Sequence, residues 1–483
     1  MMLARYSFSL LVGTIFLTTA MPADASGNAN DNWGHWRGEG GNGVSTTATP
    51  PTTWSDTENI KWKVAVPGRG SGSPVVWGNR IFVVSAIPAD GSDTAQDAEP
   101  QEANVPRRDF GPPRDGQRPP GERGRRGEGR RGGGRFGGRF GGGRGAAPQK
   151  LKFDVLCYDR TNGELLWQET AAEATPHEGT HGTNGYASGS PCTDGKHVFA
   201  HFGSQGIHCY TVEGQHVWSR QLGKLTMRNG FGEGSSPTLV KGKDGAEKVI
   251  VPWDHEGDSY LFALDAKTGE PLWKTPRDEP SCWATPLVVD YEGRKQVVMN
   301  GQTCARSYDL ETGKELWRCG GQTERPVASA VAADGLIFVG SGHRGSFFAA
   351  FRPDGRGNLE GTESVVWTKN RDTPDIASPL LSGDRLYYTK GKTGILTCLD
   401  ASTGKPHYAA RRTELRQLYA SPIAAGGHVY LTDRDGTTVV IKDDDKLDVV
   451  ATNNVGETVD ATPAPVGDEL IIRGERHLFC VGG

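Results

Sequence analysis

The sequence predicts an all-β fold, an eight-bladed β-propeller of four-stranded antiparallel blades. Three observations lead there. Two short markers alternate along the chain, and each returns at a period of roughly 40–50 residues, the period of a stacked supersecondary unit. Between markers, short apolar strands are separated by DG, GN, GD and TG turns. The 483 residues include 68 Gly and 12 Trp, which favours many tight turns and large packed rings over long helices. Length alone would suggest two or three domains, but stacked repeats share one continuous core.

The first marker is a small-residue/Pro step that opens a strand. It reads Ser73-Pro74, Ser190-Pro191, Ser236-Pro237, Thr285-Pro286, Ser378-Pro379, Ser421-Pro422 and Thr462-Pro463, with Ser329-Ala330 at the remaining place. The second is a turn followed by a strand carrying tryptophan: NGELLW to Trp167, EGQHVW to Trp218, TGEPLW to Trp273, TGKELW to Trp317 and SVVW to Trp367. TGKPHY (403–408) and DDDKLDVV (443–450) are degenerate copies. Each unit is therefore a meander of four strands, A to D. The last unit, from Thr462 to Val481, supplies only A to C. An unaccompanied Trp strand around Trp62 precedes the first unit, so it is expected to complete the last blade and close the ring. A seven-blade count would require one marker to be spurious.

The repeat, as in LFALDAKTGEPLW and RSYDLETGKELW, resembles the pyrroloquinoline-quinone (PQQ) repeat. That repeat builds the eight-bladed propellers of quinoprotein alcohol dehydrogenases and of BamB-like assembly factors. The resemblance covers residues 60–483 outside one insert. It implies the fold strongly and the function weakly, because one fold hosts many functions.

The chain divides into four parts. Residues 1–25 read as a signal peptide: Arg5, a 14-residue apolar stretch from Ser7 to Ala20, then Ala23-Asp24-Ala25. Residues 26–58 form an N-terminal extended segment, and 59–483 the propeller. Residues 88–149 form a low-complexity insert between strands B and C of the first blade, expected to be disordered. From Arg107 to Arg144 the insert holds 12 Arg against Asp109, Asp115, Glu122 and Glu128, a local charge of +8 in a chain of net −4. It reads first as a solvated loop with no specific task, and second as a site for a polyanion, the partner its charge would suit. No later apolar run is long enough for a transmembrane helix, so a periplasmic or extracellular monomer is expected.

Eight cysteines in an exported chain raise the question of disulfides. Cys157, Cys209, Cys398 and Cys480 occupy matching places in different repeats, too far apart to bridge, and read as small buried hydrophobes. The pairing of Cys192, Cys282, Cys304 and Cys319 is left open.

Strand order puts the A–B and C–D turns on one face and the B–C and D–A loops on the other. The second set carries the unusual polar residues. The candidate binding residues there are His177, His181, Arg228, Asp254, His255, Asp278, Arg325, His343, Arg344, Arg371, Asp372, Arg416, Arg434 and Arg473. They read either as a funnel of convergent charges or as mutually paired bridges that fix the loops.

Two enzyme readings are testable. His177-Glu178-Gly179-Thr180-His181 matches H-E-x-x-H, which holds zinc only when a helix puts both His on one face. Pro176, Gly179 and Gly182 argue against a helix. The resemblance also implies, in its dehydrogenase branch, PQQ stacked on a Trp over the axis, an activating calcium ion and often an adjacent-cysteine disulfide. Trp253 and Trp283 are the stacking candidates, and no Cys-Cys pair occurs. The expectation is a non-catalytic binding scaffold without cofactor or metal, serving an envelope protein or ligand. A PQQ- and calcium-dependent dehydrogenase is the alternative.

Overall fold

A computed structural model describes residues 32–55, 58–92 and 149–483. The signal-peptide reading and almost all of the insert lie outside these residues. Eight antiparallel blades follow one another in chain order. Blade 1 consists of A (Val75–Trp77), B (Arg80–Pro88), C (Leu151–Asp159) and D (Leu165–Ala174). Blades 2 to 7 span 192–220, 238–277, 287–319, 331–369, 380–412 and 423–454. Blade 8 takes A, B and C from Ala464–Val466, Glu469–Arg473 and His477–Val481. Its D strand is Ile60–Ala65, which pairs antiparallel with His477–Val481. The ring is closed as the unaccompanied Trp strand predicts.

Both markers have a physical explanation at the joints between blades. The marker Ser or Thr of each blade accepts, through its hydroxyl, a hydrogen bond from the backbone N–H of the equivalent residue one blade back. The series runs Ser73→Ser190→Ser236→Thr285→Ser329→Ser378→Ser421→Thr462→Ser73, at 2.9–3.3 Å, and closes on itself. It satisfies eight buried N–H groups around the axis. Ser329 keeps its place in the series although Ala330 follows it, so the hydroxyl is the part of the marker this ring uses.

The Trp–Gly marker joins the blades farther from the axis. The indole N–H of Trp62, Trp167, Trp218, Trp273 and Trp367 donates at 2.8–3.0 Å to a carbonyl at the end of strand C of the following blade. The ring then lies against the turn glycine of that blade. A Cβ at Gly269 would sit 2.5 Å from Trp218, and one at Gly313 2.7 Å from Trp273. The Asp that ends strand C caps the same turn: Asp265, Asp309 and Asp400 each accept from a Thr N–H three residues on. Trp317 departs from the rule because blade 5 replaces the TG turn with a longer connection. It is fully buried against Phe351 and donates to Gln296 of its own blade. Part of that connection, Gly357–Asn358, adds a short parallel strand beside Glu315–Cys319.

The mouth on the A–B side is lined by the extended N-terminal segment. Trp33 bridges to Val76 of blade 1, Gly34 accepts from Thr193 of blade 2, Asn42 pairs with Ala332 of blade 5, and Ser45 donates to Ala424 of blade 7. Arg37 is buried there and donates to the carbonyls of Pro379, Pro422 and Asn42. All eight cysteines are free, and seven are buried, including the four at matching strand positions. Burial raises their thiol pKa values, to about 12 for Cys157, Cys282 and Cys398.

Candidate functional site

On the opposite face, the loops between blades cross the mouth. The blade 1–2 connection reaches over to the blade 6–7 connection, where Thr183 Oγ1 lies 3.1 Å from Tyr419 Oη. It is pinned on the way by His181 N and Asn184 Nδ2, both donating to Phe231 O of the blade 2–3 connection. Lys392 and Arg434 pack on the Tyr419 ring at 5.1 and 4.9 Å. His181 is the exposed tip of this chord. Partial burial and the charges of Lys392, Arg325 and Arg434 hold its pKa below the usual value, so it stays neutral among cations.

Most of the other candidate residues fall into three groups. Asp254 and His255 lie beneath the face. Asp254 makes a bidentate pair with Arg277 at 2.7 and 2.9 Å, both buried. Burial alone would lower the Arg277 pKa, but the Asp254 carboxylate outweighs it and keeps the guanidinium charged. His255 Nδ1 accepts from Thr226 N and its Nε2 meets Asp258 O, which fixes a loop.

A second group sits at the surface but is paired. Arg325 contacts His343 Nδ1 at 2.9 Å and Asp375 at 3.4 Å. Burial, then Arg325, keeps the His343 pKa low. Arg434 holds Asp460 at 2.5 Å, Asp372 holds Lys390 at 2.6 Å, and Arg228 donates to Gln302 at 3.0 Å. A third group is open to solvent. Asp278 and Arg371 are exposed, Arg344 reaches Glu324 only at 3.5 Å, and Arg416 is 81 % exposed with Asp435 at 3.9 Å. Arg473 belongs to none of these groups. It is buried, its Nε donates to Gly474 O, and its two terminal nitrogens have no hydrogen-bond partner.

The H-E-x-x-H motif does not form a helical metal site. Residues 175–191 contain no helix, and the two histidines diverge. His177 Nε2 meets Leu225 O at 2.7 Å, whereas His181 turns to Thr183 and packs edge-on against Phe231. His177 and Glu178 meet Glu233 instead, with ligand atoms within 4.8 Å of one another. These donors are engaged: Glu178 accepts from Met227 N, and Glu233 from Ser204 N and Oγ. Burial raises the Glu233 pKa.

Sequence reasoning missed Glu233, Glu279 and Glu457, carboxylates that cap B–C loops. Glu279 accepts from Thr303 N, Cys304 N and Arg306, and Glu457 from Arg476 N, His477 N and His477 Nδ1. Each falls in a D–A loop and caps a loop far along the chain, so no local spacing betrays it. Tyr419, Lys392 and Arg69 were also missed, although Tyr419 lies in a loop singled out for its charge. The two stacking candidates are both held. Trp253 is core-packed between His201 and Phe262, and Trp283 donates to Gly232 O at 2.7 Å.

Comparisons with known proteins agree on the architecture. Residues 151–342 and 358–475, more than half of the chain, match the family described as outer membrane protein assembly factor BamB. The chain is similar to the outer membrane protein assembly factor BamB of Burkholderia pseudomallei (strain K96243), with 27% identity over 187 residues, 36% of this chain and 45% of that protein. It is also similar to the quinoprotein ethanol dehydrogenase of Pseudomonas putida, with 28% identity over 165 residues, 32% of this chain and 24% of that enzyme. It therefore matches less than half the length of either curated relative. Among solved structures, a europium-containing methanol dehydrogenase aligns with TM-score 0.54 and 11% identity, over 92% of this chain and 89% of that one, a likeness of fold. With its eight closed blades and its interlocked Trp–Gly and Ser–Pro repeats, the chain belongs to the BamB-like family of PQQ-type repeat propellers.

Proposed function

We propose that this protein is a non-catalytic scaffold of the cell envelope or cell exterior that binds a protein or ligand on its B–C/D–A loop face. The observation that carries the reading is the asymmetry of the two mouths. One is covered by the Trp33–Trp54 segment, whose polar groups are tied to blades 1, 2, 5 and 7. The other bears open charges at Asp278, Arg344, Arg371 and Arg416 above a braced layer of paired ones. Bracing pre-organises such a surface and reduces the ordering cost of binding. Placement outside the cytoplasm rests on the apolar N-terminal stretch, and among the described residues no helix is long and apolar enough to cross a membrane.

The similarity to a quinoprotein ethanol dehydrogenase favours a second reading, PQQ-dependent oxidation. The residues present do not fit it. Trp253 is enclosed in the core, Trp283 is tied to Gly232, and the 175–191 chord lies over the mouth where a stacked cofactor would enter.

The test compares wild type with Arg371→Glu/Arg416→Glu, two exposed positions whose reversal leaves the fold intact. Capture from an envelope extract should fall at least about tenfold for proteins bound by wild type, since rim charges govern association. Equal capture by both would remove the face from consideration. Dye-linked alcohol oxidation on adding PQQ and calcium would overturn the non-catalytic reading.

A further inference from the structure

The outer rim of the ring is made of D strands, and each offers a row of main-chain groups that must be kept from pairing with other chains. Seven blades carry a device against such pairing. The D strand of blade 3, Pro271–Arg277, holds Pro271 and Pro276, and that of blade 6, Pro406–Arg412, begins with proline and ends in two arginines. Blade 8 places Lys61 and Lys63 on Ile60–Ala65. Blades 2 and 5 keep their D strands to five residues, His216–Arg220 and Val365–Lys369. In blade 7, Asn453 of Val449–Asn454 exchanges hydrogen bonds at 2.9 Å with Thr52 and Trp54 of the N-terminal segment. Blade 4 covers its edge with the chain's own Gly357–Asn358.

Blade 1 has none of these. Its D strand, Leu165–Ala174, is the longest of the eight at ten residues and contains no Pro, Lys or Arg. Among the described residues no strand pairs with its outer edge. Leu165 and Leu166 are 43 % and 45 % exposed, and Glu164, Glu169 and Glu173 are exposed along the same strand. Lys150 matches Glu173 at 2.6 Å, whereas Glu164 and Glu169 are in no ion pair among the described residues.

Blade 4 shows what such an edge accepts. Leu316 is the counterpart of Leu166, since each precedes the marker Trp of its blade, and both strands carry a bulge at that point. Gly357 pairs with Trp317 and Asn358 with Arg318, and Leu359 N donates to Arg318 O at 2.9 Å. Leu359 packs in one apolar cluster with Leu316. With that segment in place Leu316 is 8 % exposed.

We propose that the outer edge of blade 1 is a docking site for an extended basic segment of a partner protein, which adds a fifth strand beside Trp167–Thr170 and sets an apolar side chain against Leu166. In strand addition, main-chain pairing supplies affinity and alternate side chains supply selectivity. The basic character follows from Glu164 and Glu169, which favour cations on the strand opposite. A second copy of this chain would instead bring the same acids together. The site is on the rim, apart from the loop face, and stands or falls independently of the binding proposed there.

The experiment is fluorescence anisotropy of a labelled Arg-Val-Arg-Leu-Arg-Val-Arg peptide titrated with the full chain. Wild type should bind it saturably. Glu169→Lys and Leu166→Ser should each weaken the affinity about fivefold or more, the first by charge and the second by loss of the apolar contact. Glu363→Lys, the same charge change at an exposed position of another blade, should leave it unchanged. The same peptide with methylated backbone amides keeps its charge and side chains but cannot pair, and its affinity should fall about tenfold or more. No saturable binding, equal binding of the methylated peptide, an unchanged affinity in Leu166→Ser or Glu169→Lys, or an equal loss in Glu363→Lys would overturn the proposal. Binding seen only once residues 93–148 are replaced by a Gly-Ser link would overturn it in favour of this chain's own insert. A wild-type dimer in sedimentation that Leu166→Ser abolishes would overturn it in favour of a second copy. If either variant fails to fold, the methylated peptide decides the question on wild type alone.

Discussion

His201 is buried between blades 2 and 3, with Nδ1 3.3 Å from Ser235 O and Nε2 without a partner. Burial lowers its pKa to about 4 against the opposing hydrogen bond to Ser235 O, with a smaller lowering from the nearby His208. The folded state therefore holds the neutral ring, and the unfolded chain protonates near 6.5. The stability this confers is complete above about 6.5 and is lost as pH falls toward 4, by roughly 3 kcal/mol over the window. Denaturant midpoints measured from pH 7 to 4 should fall more steeply for wild type than for His201→Gln; parallel curves would show that His201 is not a main proton acceptor. The Arg277–Asp254 pair illustrates the opposite outcome of burial at this scale. There a charge is retained because its partner is within 3 Å on two atoms.

At the scale of the element, the Trp–Gly joint is the repeated unit of cohesion. Gly269 adopts φ +70°, a left-handed conformation, and a Cβ there would lie 2.5 Å from Trp218 Cε3. Gly269→Ala thus meets backbone strain and a packed ring together. A loss of about 2–4 kcal/mol follows, from roughly 1–2 for the left-handed residue and a similar amount for displacing the indole. Urea unfolding measures it, and a loss under about 0.5 kcal/mol would mean that the joint is looser than described. The joint also explains why the motif was legible. Asp, Thr, Gly and Trp recur at fixed spacing because each has a distinct task in the same turn: cap, hydroxyl, left-handed residue and inter-blade ring. Where blade 5 lacks the glycine, Trp317 of blade 4 turns into its own blade.

For the whole molecule, closure and the insert are the two questions of chain economy. Closure couples residues about 420 apart through the pairing of Ile60–Ala65 with His477–Val481, a contact of very high sequence separation. The insert leaves from a hairpin that is paired as far as Pro88 and Leu151, and Ala89 N donates to Lys150 O at 2.9 Å. Its two ends are therefore already together, with Gln149 hydrogen-bonded to Asp90. Replacing residues 93–148 by a four-residue Gly-Ser link should leave the melting temperature within about 2 °C of wild type, because closing a loop changes stability only slowly with its length. A large fall would assign the insert a structural role.

The sequence by itself determined the ring, the strand order, the blade that closes it and the face that carries the polar loops. These follow from period, turn chemistry and register, which are local and repeated eight times over. It also placed the loops that hold Arg325, Arg434 and Arg473, but not their states. Only the tertiary structure decided that Asp254 is enclosed with Arg277, that Arg434 is matched by Asp460, and that Arg473 is left without an acceptor. The physical reason is distance along the chain. A charge's partner here comes from another loop or another blade, and burial with its attendant cost is a property of the assembled ring. Repetition makes a fold readable from its sequence, whereas a binding site lies where the repeats differ from one another.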